Sequence, residues 1–152
     1  MTLPTAFRDP ALLVARLLLG SVFIAHGWQK LFTNGMAATT AGFEGMGVPL
    51  PAVSAWAAAL IELAGGAALL LGAGTAVAGL LLVADMLGAY LLVHAGNGVF
   101  VDAGGFELVA ALGAGALTLA AVGRGRFSVD ALTTGRAGNA TTVPAAGAAA
   151  GR

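Results

Sequence analysis

Residues 51–94 read PAVSAWAAALIELAGGAALLLGAGTAVAGLLLVADMLGAYLLVH, and this stretch decides the fold. Its charged side chains are Glu62 and Asp85, and its one interruption is Gly72-Ala73-Gly74. About 20 mostly apolar residues are enough to cross the hydrocarbon core of a bilayer, so 52–71 and 75–94 are each long enough to do it. The three small residues between them force an antiparallel hairpin. Pro49-Leu50-Pro51 opens the first of these helices, where a proline forfeits no internal hydrogen bond. Gly96-Asn97-Gly98 closes the second.

Two further stretches outside this hairpin have the same character. Residues 11–32 follow Pro10 and end at the turn-forming pair Asn34-Gly35, and 106–122 stop at Gly123. Composition agrees with a membrane setting. Of the 152 residues, 59% are hydrophobic and 9% are charged, against roughly 25% charged in a typical soluble domain. So few charges cannot build the polar shell that a small soluble domain needs. The expected fold is all-α, an integral membrane four-helix bundle whose partner is the lipid bilayer. A net charge of zero offers nothing to nucleic acid.

Orientation follows from the arginines, because Lys and Arg in short flanks stay in the cytoplasm. Arg8 and Arg16 lie at the start, and Arg124, Arg126 and Arg136 follow the last span. The connections 33–51 and 95–105 carry no Lys or Arg, although Lys30 stands just before the first. Both the N- and C-termini are therefore expected in the cytoplasm. A competing reading makes the first span a secretory signal peptide, but its length and the interruptions at His26 and Lys30 weigh against it. In the first outer connection Met36, Thr40, Phe43 and Met46 recur at helical spacing, which predicts a short interfacial helix over 36–44. Trp28 and Trp56 suit interfacial belts. Residues 1–132 form the membrane domain, while 133–152, rich in Ala, Gly and Thr, read as a disordered cytoplasmic tail.

The chain contains no cysteine, which removes disulfides, thiolate metal ligation and dithiol chemistry. Phosphate-cradling glycine loops, serine-nucleophile motifs and metal-ligand spacings are absent too, so no metal site is expected and no catalytic residue is named. Electron transfer would fall to a bound organic cofactor, a haem held without thioether links, or a partner. A haem between His26 and His94 is permitted but not favoured.

Ionisable residues inside the spans carry the functional signal, because they are costly there and face the bundle interior and a partner. His26, Lys30, His94 and Glu107 come from three helices to one membrane face, the outer one, with Glu62 about two turns below. Arg16, Gly20, Phe23, Gly27 and Lys30 form one stripe of the first helix, so Lys30 can reach a carboxylate across the bundle. Two readings stand side by side. The charges either fix helix register as ion pairs, or they line a polar pocket for a ligand or protons, in which two histidines near carboxylates titrate in a useful range. Arg16 and Asp85 are secondary candidates. Arg16 reads as a snorkelling anchor, and Asp85 lies at roughly 180° from His94 on an ideal helix, facing away from it.

The ordered pieces Arg16-Leu-Leu-Leu-Gly20, His26-Gly-Trp-Gln-Lys30-Leu31, Gly47-Val-Pro-Leu-Pro51, Glu62-Leu-Ala-Gly-Gly66, Leu69-Leu-Leu-Gly72, His94, Gly104-Gly105-Phe106-Glu107 and Gly123-Arg-Gly-Arg-Phe-Ser-Val-Asp130 resemble the DoxX family of small bacterial membrane proteins. The resemblance covers residues 8–132. It implies a multi-pass protein of the bacterial cytoplasmic membrane and a redox-associated subunit of a quinone-linked oxidoreductase complex, with a quinone as cofactor and a redox enzyme as partner. On that reading Lys30, Glu62, His94 and Glu107 hold the quinone-like molecule or a small anion, with His26 beside them. The alternatives are a non-catalytic membrane scaffold or assembly protein and a small transporter or proton pathway. Glycine-rich helix faces also suit a homo-oligomer.

Overall fold

The computed structural model describes residues 4–132, and the tail expected over 133–152 lies outside the described residues. The chain is all-helical, with no strand among the described residues. The elements are α1 (Thr5–Trp28), α2 (Met36–Gly45), α3 (Pro51–Leu71), α4 (Thr75–Ala89) and α5 (Glu107–Val122). Two wide π-helical turns, Gln29–Thr33 and Tyr90–His94, continue α1 and α4, and a short 3-10 turn, Val101–Ala103, precedes α5.

Local chemistry explains the boundaries. Leu50 takes a left-handed conformation (φ 48°) and hands the chain to Pro51 at the start of α3. Gly72 ends α3 with φ 68°, and the Ala73 N–H reaches back to the Ala68 carbonyl at 2.9 Å. This is the αL termination that glycine performs without a Cβ penalty, and it makes the expected tight hairpin. The helix expected over 36–44 is present as α2. α1 differs from expectation in starting at Thr5, with Pro10 inside it rather than before it.

Among the described residues three helices are long and apolar enough to cross a membrane: Ala6–Thr33, Pro51–Leu71 and Thr75–His94. α5 is equally apolar but has 16 residues, about 24 Å at 1.5 Å per residue. α1 packs on α3, α3 on α4 and α4 on α5, with a lighter contact between α1 and α5. The stripe expected on α1 is buried: Arg16, Phe23 and the glycines at 20 and 27 face inward. Backbones touch there. A Cβ on Gly20 would come within 2.7 Å of the Gly66 carbonyl oxygen, and one on Gly66 within 2.8 Å of the Gly20 oxygen. Phe23, Leu69, Leu82, Met86, Ala116 and Leu119 form the shared core. Because Phe23 belongs to that core, α1 is an integral part of the folded unit.

The outward faces carry Leu18, Leu60, Val77, Leu80, Leu91 and Leu117, all half-exposed or more. A surface this apolar is tolerated in lipid and not in water. Trp28 and Trp56 are also about half exposed, and the Trp28 ring stacks at a tilt on Phe32 with centroids 4.3 Å apart.

Candidate functional site

The helix packing places two polar clusters at opposite ends of the molecule. The end that carries α2 and the 95–106 connection holds the expected pocket. A cavity of about 300 Å³ there is lined by His26, Lys30, Glu62, Asp85 and His94, with mostly apolar walls from Phe43, Met46, Ala58, Met86, Ala89, Val93, Leu108, Val109 and Leu112. That volume is at the lower end of the range for small-molecule sites, about 300–1,000 Å³. Lys30 Nζ donates to Glu62 Oε2 in a direct ion pair, with the Glu62 side chain 6% exposed and Lys30 20% exposed. Asp85 interacts electrostatically with both of them, and its buried Oδ2 has no hydrogen-bond partner among the described residues.

The two π-turns shape this cavity. In a regular helix the Asn34 N–H would bond to the Lys30 carbonyl, but the wider turn sends it to Gln29 at 2.8 Å. The Lys30 carbonyl instead accepts the Thr39 hydroxyl at 2.9 Å, which ties the buried Thr39 of α2 to the end of α1. At the second turn the Ala95 N–H bonds to Tyr90, five residues back. Inserted turns of this kind recur at functional sites, and here Lys30 and His94 both lie within them.

Several expectations need correction. Asp85 and His94 line the same cavity, although an ideal helix puts them on opposite faces. The π-turn absorbs about one residue of the intervening nine steps, which rotates His94 by about 100° toward Asp85. Glu107 does not line the cavity: its Oε1 accepts the Val101 N–H at 2.8 Å and closes the loop before α5. It therefore neither orients His94 nor pairs with Lys30. His94 Nδ1 lies 2.7 Å from the Gly104 carbonyl oxygen, so the loop backbone orients the ring. Arg16 is not a snorkelling anchor. It is 1% exposed, and its two terminal nitrogens donate to the carbonyls of Arg124 and Phe127, pinning the segment after α5 against α1.

A second cavity of about 310 Å³ adjoins the first, sharing Phe43, Ala58, Asp85, Ala89 and Val93. Its remaining walls include Ile61, Ala84, Gly88 and Leu92. Asp85 thus stands between a polar-floored space and a largely apolar one.

The DoxX family model matches residues 11–95, which contain every charged side chain of the cavity and leave out Glu107. This chain belongs to the DoxX family. Inner membrane protein YqjF of Escherichia coli (strain K12) is 35% identical over 128 residues, covering 82% of this chain and 93% of that protein. No solved structure matches the chain significantly. With its three long apolar helices, this DoxX-family member is a multi-pass protein of the cytoplasmic membrane. The signals for Lys30 and Glu62 were readable as charges inside spans. What sequence reasoning missed were the two π-turns and the inward role of Asp85.

Proposed function

We propose that this protein is a redox-associated membrane subunit whose cavity at the α2 end binds a quinone-like ring, with four spans and both termini in the cytoplasm. The observation that carries the proposal is the Lys30–Glu62 ion pair beside Asp85, set in a cavity whose walls are mostly apolar. Buried charges of this kind inside a membrane helix mark ligand or proton sites by default.

The donor set suits such a ligand. Lys30 presents ammonium protons to a carbonyl oxygen, and its ion pair with Glu62, beside a second acid, Asp85, makes a group that can give up or accept a proton as the ligand changes charge. His26, from α1, and His94, from the turn after α4, line the same cavity and can pass that proton on. The adjoining apolar cavity accommodates a ring substituent or the start of a hydrocarbon chain. A bound quinone would supply the two-electron chemistry, and the chain's own side chains the hydrogen bonds and protons.

Orientation is supported by the same ion pair. Lys30 is neutralised within the pocket, so it does not offset Arg8, Arg124 and Arg126 at the opposite end, and those arginines favour the cytoplasm. α5 completes the fourth crossing as a short span packed along α4.

One observation favours a second reading, a scaffold in which Lys30 and Glu62 only fix the packing of α1 on α3: the two partners already satisfy each other. The discriminating experiment is gentle purification from the native membrane followed by extraction and chromatography of retained quinones. Wild type is expected to retain quinone, and Glu62→Gln to lose it while keeping helicity and monodispersity. Quinone-free wild type protein would overturn the ligand reading in favour of the scaffold.

A further inference from the structure

At the end opposite the pocket, the start of α1, the α3–α4 hairpin and residues 123–131 border an open cavity of about 530 Å³. Arg8, Arg124 and Arg126 line it, with Asp9, Thr75 and Asp130. Both acids are engaged by backbone. Asp9, 7% exposed, accepts the Arg126 N–H at 3.4 Å. The Asp130 carboxylate accepts the N–H groups of Gly74 at 3.0 Å and Thr75 at 3.4 Å, capping α4.

The arginines are placed differently. Arg8 and Arg126 are exposed at the mouth. Arg8 uses one N–H on the Val122 carbonyl at 3.0 Å, which leaves most of the five donors of its guanidinium for another acceptor. Thr75, 3% exposed, lines the same cavity, and its hydroxyl has no partner among the described residues. Apolar side chains lie at the same place: Val77, 66% exposed, lines this cavity, and Phe127, 55% exposed, lines an adjoining cleft with Arg126. Guanidinium groups beside exposed apolar side chains match an amphiphile with an anionic head. Arginine in place of lysine suits a phosphate in particular, since its fork bonds two oxygens at once.

We infer that this cavity seats the phosphodiester headgroup of an anionic membrane lipid, gripped by Arg8 and Arg126, with its chains over Val77 and Phe127. Basic pockets between spanning helices on the cytoplasmic side bind such headgroups. A zwitterionic lipid would bring an ammonium group against the arginines and is disfavoured.

The test uses the full chain in neutral detergent, with phosphatidylglycerol or phosphatidylcholine added and retained lipid counted by native mass spectrometry. Wild type should retain phosphatidylglycerol over phosphatidylcholine, and R8Q/R126Q should lose about tenfold of that retention. R8K/R126K, which keeps the charge, should retain more than the Gln pair, and circular dichroism checks that all variants remain helical. The single variant R126Q, altered at an exposed side chain, gives the same reading should the double variant misfold. Equal retention of the two lipids, or unchanged retention in R126Q and R8Q/R126Q, would overturn the inference. Displacement of phosphatidylglycerol by equimolar inorganic phosphate or glycerophosphoglycerol would assign the site to a free anion and overturn it as well.

Discussion

Lys30 and Glu62 are 32 positions apart in the sequence and share one proton-bearing contact in the fold. Their meeting was legible because each is a charge inside an apolar helix, and Lys30 lies on the stripe that runs Arg16, Gly20, Phe23, Gly27. Glu107 had the same outward signature, an acid at a helix start facing the same membrane side, yet it binds a loop N–H six residues back. Nothing in a residue list distinguishes an acid that caps a turn from one that faces a cavity, because both satisfy the same need for a donor. The ion pair itself makes a testable statement about energy. Lys30→Met leaves the Glu62 carboxylate buried without its cation, which should cost up to about 3 kcal/mol, whereas the double change K30M/E62L should recover most of that. Melting temperatures in detergent check it, and a double variant no more stable than K30M would show that the pair is not the unit of stability.

At the level of elements, two features govern the site: the close contact of α1 with α3 and the π-turns at the ends of α1 and α4. The first depends on glycine. A Cβ on Gly66 would meet the Gly20 oxygen and the Ile24 nitrogen at 2.8 Å each, and both are backbone atoms that cannot swing aside. Gly66→Ala should therefore push α3 off α1 and destabilise the protein by about 1–3 kcal/mol. Gly88→Ala, where a Cβ meets nothing within 4 Å, should be neutral or slightly stabilising. Equal melting temperatures for the two variants would refute the packing argument. The π-turns are harder to foresee. A run such as Tyr90-Leu-Leu-Val-His94 has nothing in its composition that demands a wider turn, and helical-wheel reasoning with 3.6 residues per turn consequently sent Asp85 and His94 to opposite faces.

For the whole molecule, the charges segregate to two ends: an ion-paired cavity under α2, and arginines with backbone-engaged acids around residues 123–130. Arg16 ties the second end together from within the fold, holding the Arg124 and Phe127 carbonyls. The orientation of these ends in the membrane is open to a direct test, since the chain has no cysteine to interfere. Asp102→Cys, on the exposed 95–106 connection, should react with a membrane-impermeant maleimide added to intact cells. Leu132→Cys should react only after the cells are opened. The reverse pattern would invert the proposed topology and move the cavity at the α2 end to the cytoplasmic side.

The sequence alone determined the class of solvent, the helical hairpin at Gly72-Ala73-Gly74 and the short helix after α1, because these follow from local composition, length and turn chemistry, while the family was legible as a resemblance of ordered motifs. Tertiary structure decided which buried charges meet. Asp85 faces Lys30 and Glu62, Glu107 turns to its own loop, and Arg16 holds carbonyls more than 100 positions away. Those outcomes depend on how the helices pack and how closely glycines let the backbones approach, as the meeting of His94 with Asp85 depends on a rotation of about one residue at the Tyr90–His94 π-turn. Both are properties of helices packed against one another, and a periodic pattern read along one chain does not contain them.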